Sequence, residues 1–134
     1  MNYWLVKSEP TTYSWEQFNK DGVTQWTGVR NYAARIYLRA MKKGDDVLFY
    51  HSNIGKEIVG IAKVTKEAYQ DPTTIDNAWV CVDLKPMQKL KNAVQLSIVK
   101  ADSTLKNMPL VRIARLSVMP VTKEEFMRVM QLSE

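Results

Sequence analysis

The stretch "EIVGIAKVTKEAY", Glu57 to Tyr69, decides the fold. Branched apolar residues recur through it and no proline interrupts it, so it predicts one long strand. Gly60 inside the run predicts a bulge or a close backbone approach. Working outward, "DDVLFYHS" (45–52) reads as a buried strand before it and "QDPTTIDN" (70–77) as a loop of turn residues after it. "AWVCVDLKPMQKL" (78–90) is a further strand, interrupted at Pro86, with its second half at a sheet edge. "NYWLVKSE" (2–9) supplies a first strand, with Trp4, Val6 and Ser8 on one face and Tyr3, Leu5 and Lys7 on the other. "LSVMPV" (116–121) supplies a short last one.

Helices fill the intervals. Ser14 and Gln17 stand at capping-box spacing, and Gly22 closes that short helix. From Val29 onward, Val29, Ala33, Ile36 and Ala40 follow helical spacing until Gly44 breaks the run. "LSIVKAD" and "STLKNM" read as short helical turns before Pro109. Thr122 and Glu125 form a second capping box, with Phe126, Val129 and Met130 as the buried face of a closing helix. No linker, repeat or low-complexity tract divides the chain. The expectation is one α+β domain over residues 1–134: a curved or barrel-like sheet flanked by helices.

Composition narrows the function classes. Of 134 residues, 46% are hydrophobic and 25% charged, as in ordinary globular proteins. No apolar run approaches the roughly 20 residues of a membrane span, so no membrane partner is expected. The first ten residues lack the features of a signal peptide. A lone cysteine, Cys81, cannot form an internal disulfide, and the expected compartment is cytoplasmic. The net charge of +5 favours a polyanionic partner, although only weakly. One histidine and one cysteine give no transition-metal site, and no glycine-rich phosphate loop occurs, so no cofactor is expected. Cys81, between two valines, reads as a small buried hydrophobe.

Chemistry concentrates in "WTGVRNYAAR", Trp26 to Arg35. Asn31, Arg35 and Arg39 recur every fourth residue and form a polar stripe. The Asn31 amide offers a donor and an acceptor side by side, matching the hydrogen-bonding edge of a nucleobase. Trp26 reads as a stacking face for such a base or as a core ring, and the arginines as phosphate contacts or as a solvated face. His51, in "FYHS" at a strand end, is either structural or part of a polar cluster with Tyr50 and Ser52.

Together with "YWLVKSEP" (3–10), "VLFYHS" (47–52), "IVGIAKV" (58–64) and "PLVRIARLSVMPVT" (109–122), this segment resembles the EVE domain family along almost the whole chain. The resemblance implies a PUA-like fold, a curved β-barrel flanked by helices and related to YTH domains. It also implies a non-enzymatic reader of a modified base in DNA or RNA, which one aromatic pocket accepts. On that resemblance Trp26 matches the pocket tryptophan and Asn31 the polar residue beside it. Lys7, Ser8, Tyr50, His51 and Ser52 match the rim, and Arg30, Tyr32 and Arg35 come with the "VRNYAAR" block. The loop at 70–80 is shorter than in members with an insertion there, which implies a more open pocket. Trp79 reads as a second wall or as core. Two other functions stay open: a hydrolase of modified nucleosides using Lys7, Ser8 and Glu9, and a small-metabolite sensor. Strand alternation sets Lys7 and Ser8 on opposite faces, so both line one site only if the strand twists or ends there.

Overall fold

The run Glu57–Gln70 forms one 14-residue strand, and its register against the following strand slips at Gly60. The bulge reading holds, but the close approach comes from a side chain and not from a backbone: a Cβ there would lie 2.4 Å from the Trp15 indole. The computed structural model describes all 134 residues. The strands are β1 (Tyr3–Ser8), β2 (Thr24–Gln25), β3 (Asp46–His51), β4 (Glu57–Gln70), β5 (Val80–Gln95) and β6 (Val118–Val121). The helices are α1 (Trp15–Asp21), α2 (Tyr32–Ala40), α3 (Leu96–Ala101), α4 (Pro109–Arg112) and α5 (Lys123–Leu132). All six strands join one sheet in the order β2-β5-β4-β3-β1-β6. Only the central β1–β3 pair is parallel.

Repeated register slips between β4 and β5 bend the two longest strands. The sheet consequently curls. Helix α2 touches β6 at one end of the strand order and β5 near the other. After α5, the Ser133 carbonyl accepts from both the backbone N–H and the side-chain amide of Asn92 in β5. The end strands β2 and β6 do not pair, and the space between them becomes the site.

Two local expectations need correction. β5 is not interrupted at Pro86 but runs through it, and its second half lies at the sheet edge as read. β2 covers only Asp83 and Leu84, so beyond them the outer edge of β5 has no strand to which Pro86 must donate. β1 needs none: its alternation is as read, and it is buried on both faces at Trp4, Leu5 and Val6 because its sheet position is internal. Helix α2 starts at Tyr32 and buries Ala34 and Leu38; Ala33, Ile36 and Ala40 face outward. Its sequence carries apolar residues on two stripes, and docking against the sheet selects one.

The caps are as read, with one difference. Thr122 and Glu125 make the full reciprocal box of α5. The Ser14 side chain accepts from the Gln17 N–H, but the Gln17 amide turns to Asp21 instead of reaching back. The core centres on aromatic rings. Phe18 stacks on Phe49 at 5.4 Å, and Trp15 meets both edge-on. Cys81 is fully buried, and burial pushes its thiol pKa up.

Candidate functional site

A cleft of about 690 Å³ opens between the end strands, within the size range of small-molecule sites. Lys7, Ser8 and Glu9 enter from the end of β1, Thr24 and Gln25 from β2, Ser117 from the approach to β6, and the segment Trp26–Asn31 forms one wall. β1 stops at Ser8, so alternation lapses and Lys7 and Ser8 both reach the cleft. The Lys7 ammonium donates to the Ala114 carbonyl at 2.8 Å, and burial lowers its pKa. The Ser8 hydroxyl donates to the Tyr13 carbonyl at 2.6 Å.

Trp26 lines the cleft and is at the same time a core residue. Its backbone N–H donates to the Val82 carbonyl, and its ring meets Tyr13, Phe18 and Phe49 edge-on. Only 7% of the residue is exposed, so the two sequence readings coincide in one side chain. Beside it, Tyr13 is a second aromatic wall. Its hydroxyl lies 2.7 Å from Asp21 and 2.6 Å from Thr24, tying the end of α1 to β2. Burial and the Asp21 carboxylate push its pKa up to about 12.

The wall segment is held by one carboxylate. Asp71 is fully buried and accepts from the Gly28 N–H at 2.8 Å, from Arg30 at 3.1 Å, and from the N–H and hydroxyl of Thr73. Burial pushes the Asp71 carboxyl up, but these donors outweigh it and hold the pKa at about 2. Gly28 takes φ +82°, a conformation open to glycine at no steric cost. Asn31 then caps α2, its Oδ1 accepting from the Ala34 N–H at 2.9 Å. The cap takes one lone pair of the oxygen, and the amide N–H₂ makes no hydrogen bond within the protein.

The cleft therefore gathers Lys7, Ser8, Trp26, Arg30 and Asn31, and five other anticipated residues lie outside its lining. Tyr50 is buried in β3, where burial pushes its phenol up. His51 accepts the Trp15 N–H on Nε2 at 3.1 Å, so its neutral ring completes the first turn of α1. Burial lowers its pKa, while Glu57 and Glu16 pull it back up. Ser52 donates its backbone N–H to the Ser8 carbonyl, bracing the end of β1. Tyr32 and Arg35 pack with Trp79 on the outer surface. Trp79 lies in the loop before β5, partly exposed, and is neither strand core nor cleft wall.

Sequence reasoning missed Tyr13, Thr24, Gln25, Ser117 and above all Asp71. Tyr13 follows "EPTT" directly after β1, where a chain reversal was legible. Asp71 stood in a recognised loop, but its partners are 41 to 43 residues away.

Comparison with known proteins places these features in context. The EVE domain family model matches residues 2–132. A crystal structure of a protein from Agrobacterium tumefaciens is 46% identical with a TM-score of 0.98, over 99% of this chain and 93% of that one. Thymocyte nuclear protein 1 of Gallus gallus is 39% identical, over 98% of this chain and 69% of its own length. The human THYN1 protein, crystallised in complex with 5-methylcytosine-containing DNA, is 35% identical with a TM-score of 0.93, over 100% of this chain and 98% of that one. The curled sheet also matches a YTH domain from Zygosaccharomyces rouxii at TM-score 0.63 and 14% identity, a likeness of fold alone. With its whole length matched and its PUA-like sheet curled around an aromatic-walled cleft, the chain belongs to the EVE domain family.

Proposed function

We propose that the cleft receives one modified nucleobase of DNA or RNA and holds it without chemical change. The observation that carries this reading is the combination of Trp26 and Tyr13 with the free amide N–H₂ of Asn31 in one cleft of about 690 Å³. Aromatic rings give a base a flat or edge contact worth about 1–3 kcal/mol. An amide donor discriminates between bases by the acceptors on their polar edge. The complex of the similar human THYN1 protein with 5-methylcytosine-containing DNA supports the same ligand class here. A base stacked inside a duplex does not reach such a cleft, so the ligand enters extruded or from a single strand.

Hydrolysis is the less supported use of the site. A nucleophile needs a base within hydrogen-bond reach. The Ser8 hydroxyl instead donates to a backbone carbonyl, Lys7 donates to another, and His51 is engaged by Trp15 outside the cleft. The lone buried cysteine fits a reducing compartment such as the cytoplasm.

Titration with a panel of single-stranded oligonucleotides, identical except for one central base, tests the proposal. One modified base should bind at least about tenfold more tightly than its unmodified parent, the equivalent of about 1.4 kcal/mol. Equal affinity across the panel would remove the reading.

A further inference from the structure

Outside the cleft, one surface combines exposed aromatic area with unneutralised charge. Tyr32 is 69% exposed although its ring lies 5.4 Å from Trp79, which is itself partly exposed. The Arg35 guanidinium lies 4.9 Å from the Trp79 ring and 5.0 Å from the Tyr32 ring, and Arg30 lies 5.6 Å from Trp79. Arg35 and Arg39 both donate to the Ala78 carbonyl. Neither has a carboxylate partner; the ion pairs of the molecule are Arg30–Asp71, Lys63–Asp46 and Arg128–Asp102. The Arg35 Nε is buried with no acceptor at all.

A structural role explains part of this stack, because the two carbonyl bonds pin α2 to the loop before β5. It does not explain the outermost ring. An exposed tyrosine tilted against a tryptophan, with the Arg35 guanidinium over both rings, spends apolar area and positive charge on solvent. The ligand that matches both at once is a nucleotide, with a planar base for the ring and a phosphate for the guanidinium. The position adds to the argument. Arg30 belongs to the cleft lining and to the stack, and Asn31 and Tyr32 are consecutive.

We infer that Tyr32, supported by Trp79 and Arg35, is a second station that stacks a nucleotide flanking the one held in the cleft. The inference rests on the proposed base-binding reading and extends it from one nucleotide to a short single strand. Arg35 and Arg39 place their charge where the connecting phosphates run, and the contact is indifferent to base identity because every base has a stacking face.

Fluorescence anisotropy with single-stranded heptamers carrying a central cytosine or 5-methylcytosine, in DNA and in RNA, tests it. Tyr32→Ala should weaken both members of whichever pair the wild type binds by roughly fivefold or more, and by the same factor. The ratio between modified and unmodified heptamers should not change. Tyr32→Phe, which keeps the ring, should stay within about twofold of wild type. If the wild type binds both members alike and Tyr32→Ala still weakens them, the second station stands and selection of 5-methylcytosine by the cleft fails. If the wild type prefers the modified heptamer and Tyr32→Ala binds as wild type does, the second station is overturned and the cleft stands. Failure of the wild type to bind any of the heptamers overturns the second station, whose contact is indifferent to base identity, and removes 5-methylcytosine as the base the cleft takes.

Discussion

Asn31 joins a role in the fold to the proposed role in recognition. Its oxygen caps α2 and the residue lines the cleft, so alanine would remove the cap and the proposed reading group together. Serine caps a helix about as well as asparagine but lacks the reach of the amide. Asn31→Ser should therefore keep the melting temperature near wild type while reducing discrimination between modified and unmodified oligonucleotides; unchanged discrimination would move the reading group elsewhere. Trp26 has the opposite balance. A ring 93% buried among three other aromatics should cost about 3–5 kcal/mol of stability when cut to alanine. That is a large part of the usual 5–15 kcal/mol of a domain, so a small shift in a thermal melt of Trp26→Ala would contradict its place in the core. His51 gives a pH dependence. Its folded pKa lies below the ordinary 6.5, so the neutral ring stabilises the fold fully above about pH 6.5 and progressively less as pH falls through the lower folded value. His51→Gln keeps an acceptor for the Trp15 N–H without titrating, and melts between pH 5 and 7 should be flatter for it than for wild type.

At the scale of elements, the segment 26–31 is neither strand nor helix, and its shape depends on the loop 71–73. Asp71 accepts from Gly28, Arg30 and Thr73, which is why loop and cleft wall act as one unit. Asp71→Ala would remove the one buried acceptor these donors share and loosen the wall that carries Trp26 and Asn31. Its melt should fall and its oligonucleotide affinity should drop with it. A destabilised variant with wild-type affinity would show that the wall is set by something other than this carboxylate. The depressed pKa of Asp71 has the same sense. Its contribution, about 2 kcal/mol at neutral pH, is present above about pH 3.8 and lost as pH falls through about 2. These couplings mark the boundary of what local sequence discloses. Caps, glycine stops and long strands are written within a few residues, and α1, α5, β3 and β4 were legible for that reason. The buried face of α2 was not, because Ala33, Ile36 and Ala40 make as good an apolar stripe as Ala34, Leu38 and Met41 until a sheet chooses between them. Trp79 was misplaced for a related reason: its partners Tyr32 and Arg35 lie more than forty residues earlier in the chain.

The whole molecule is a sheet that curls without closing, and the site occupies the gap. The mixture of strands and helices, and the family resemblance, lead to the expectation of a curved sheet. The failure of β2 and β6 to meet was not predictable, since β2 has only two residues and leaves no pattern. Half of the anticipated site residues line the cleft, because the "KSEP" and "WTGVRN" blocks stand at its mouth. Those of "FYHS" instead lock β1 and α1 in place behind it, a contribution to the site by support and not by contact. The central claim, that this gap retains a modified base and leaves it intact, is open to one direct measurement. Cellular DNA and RNA are partially digested to short single-stranded fragments and incubated with the protein. The retained fraction is then hydrolysed and analysed by mass spectrometry. The account predicts enrichment of one modified nucleoside, recovered with its mass unchanged and depleted from the fraction retained by Asn31→Ser. Retention of unmodified nucleosides in their input proportions, or recovery of the modified one as a converted product, would contradict it.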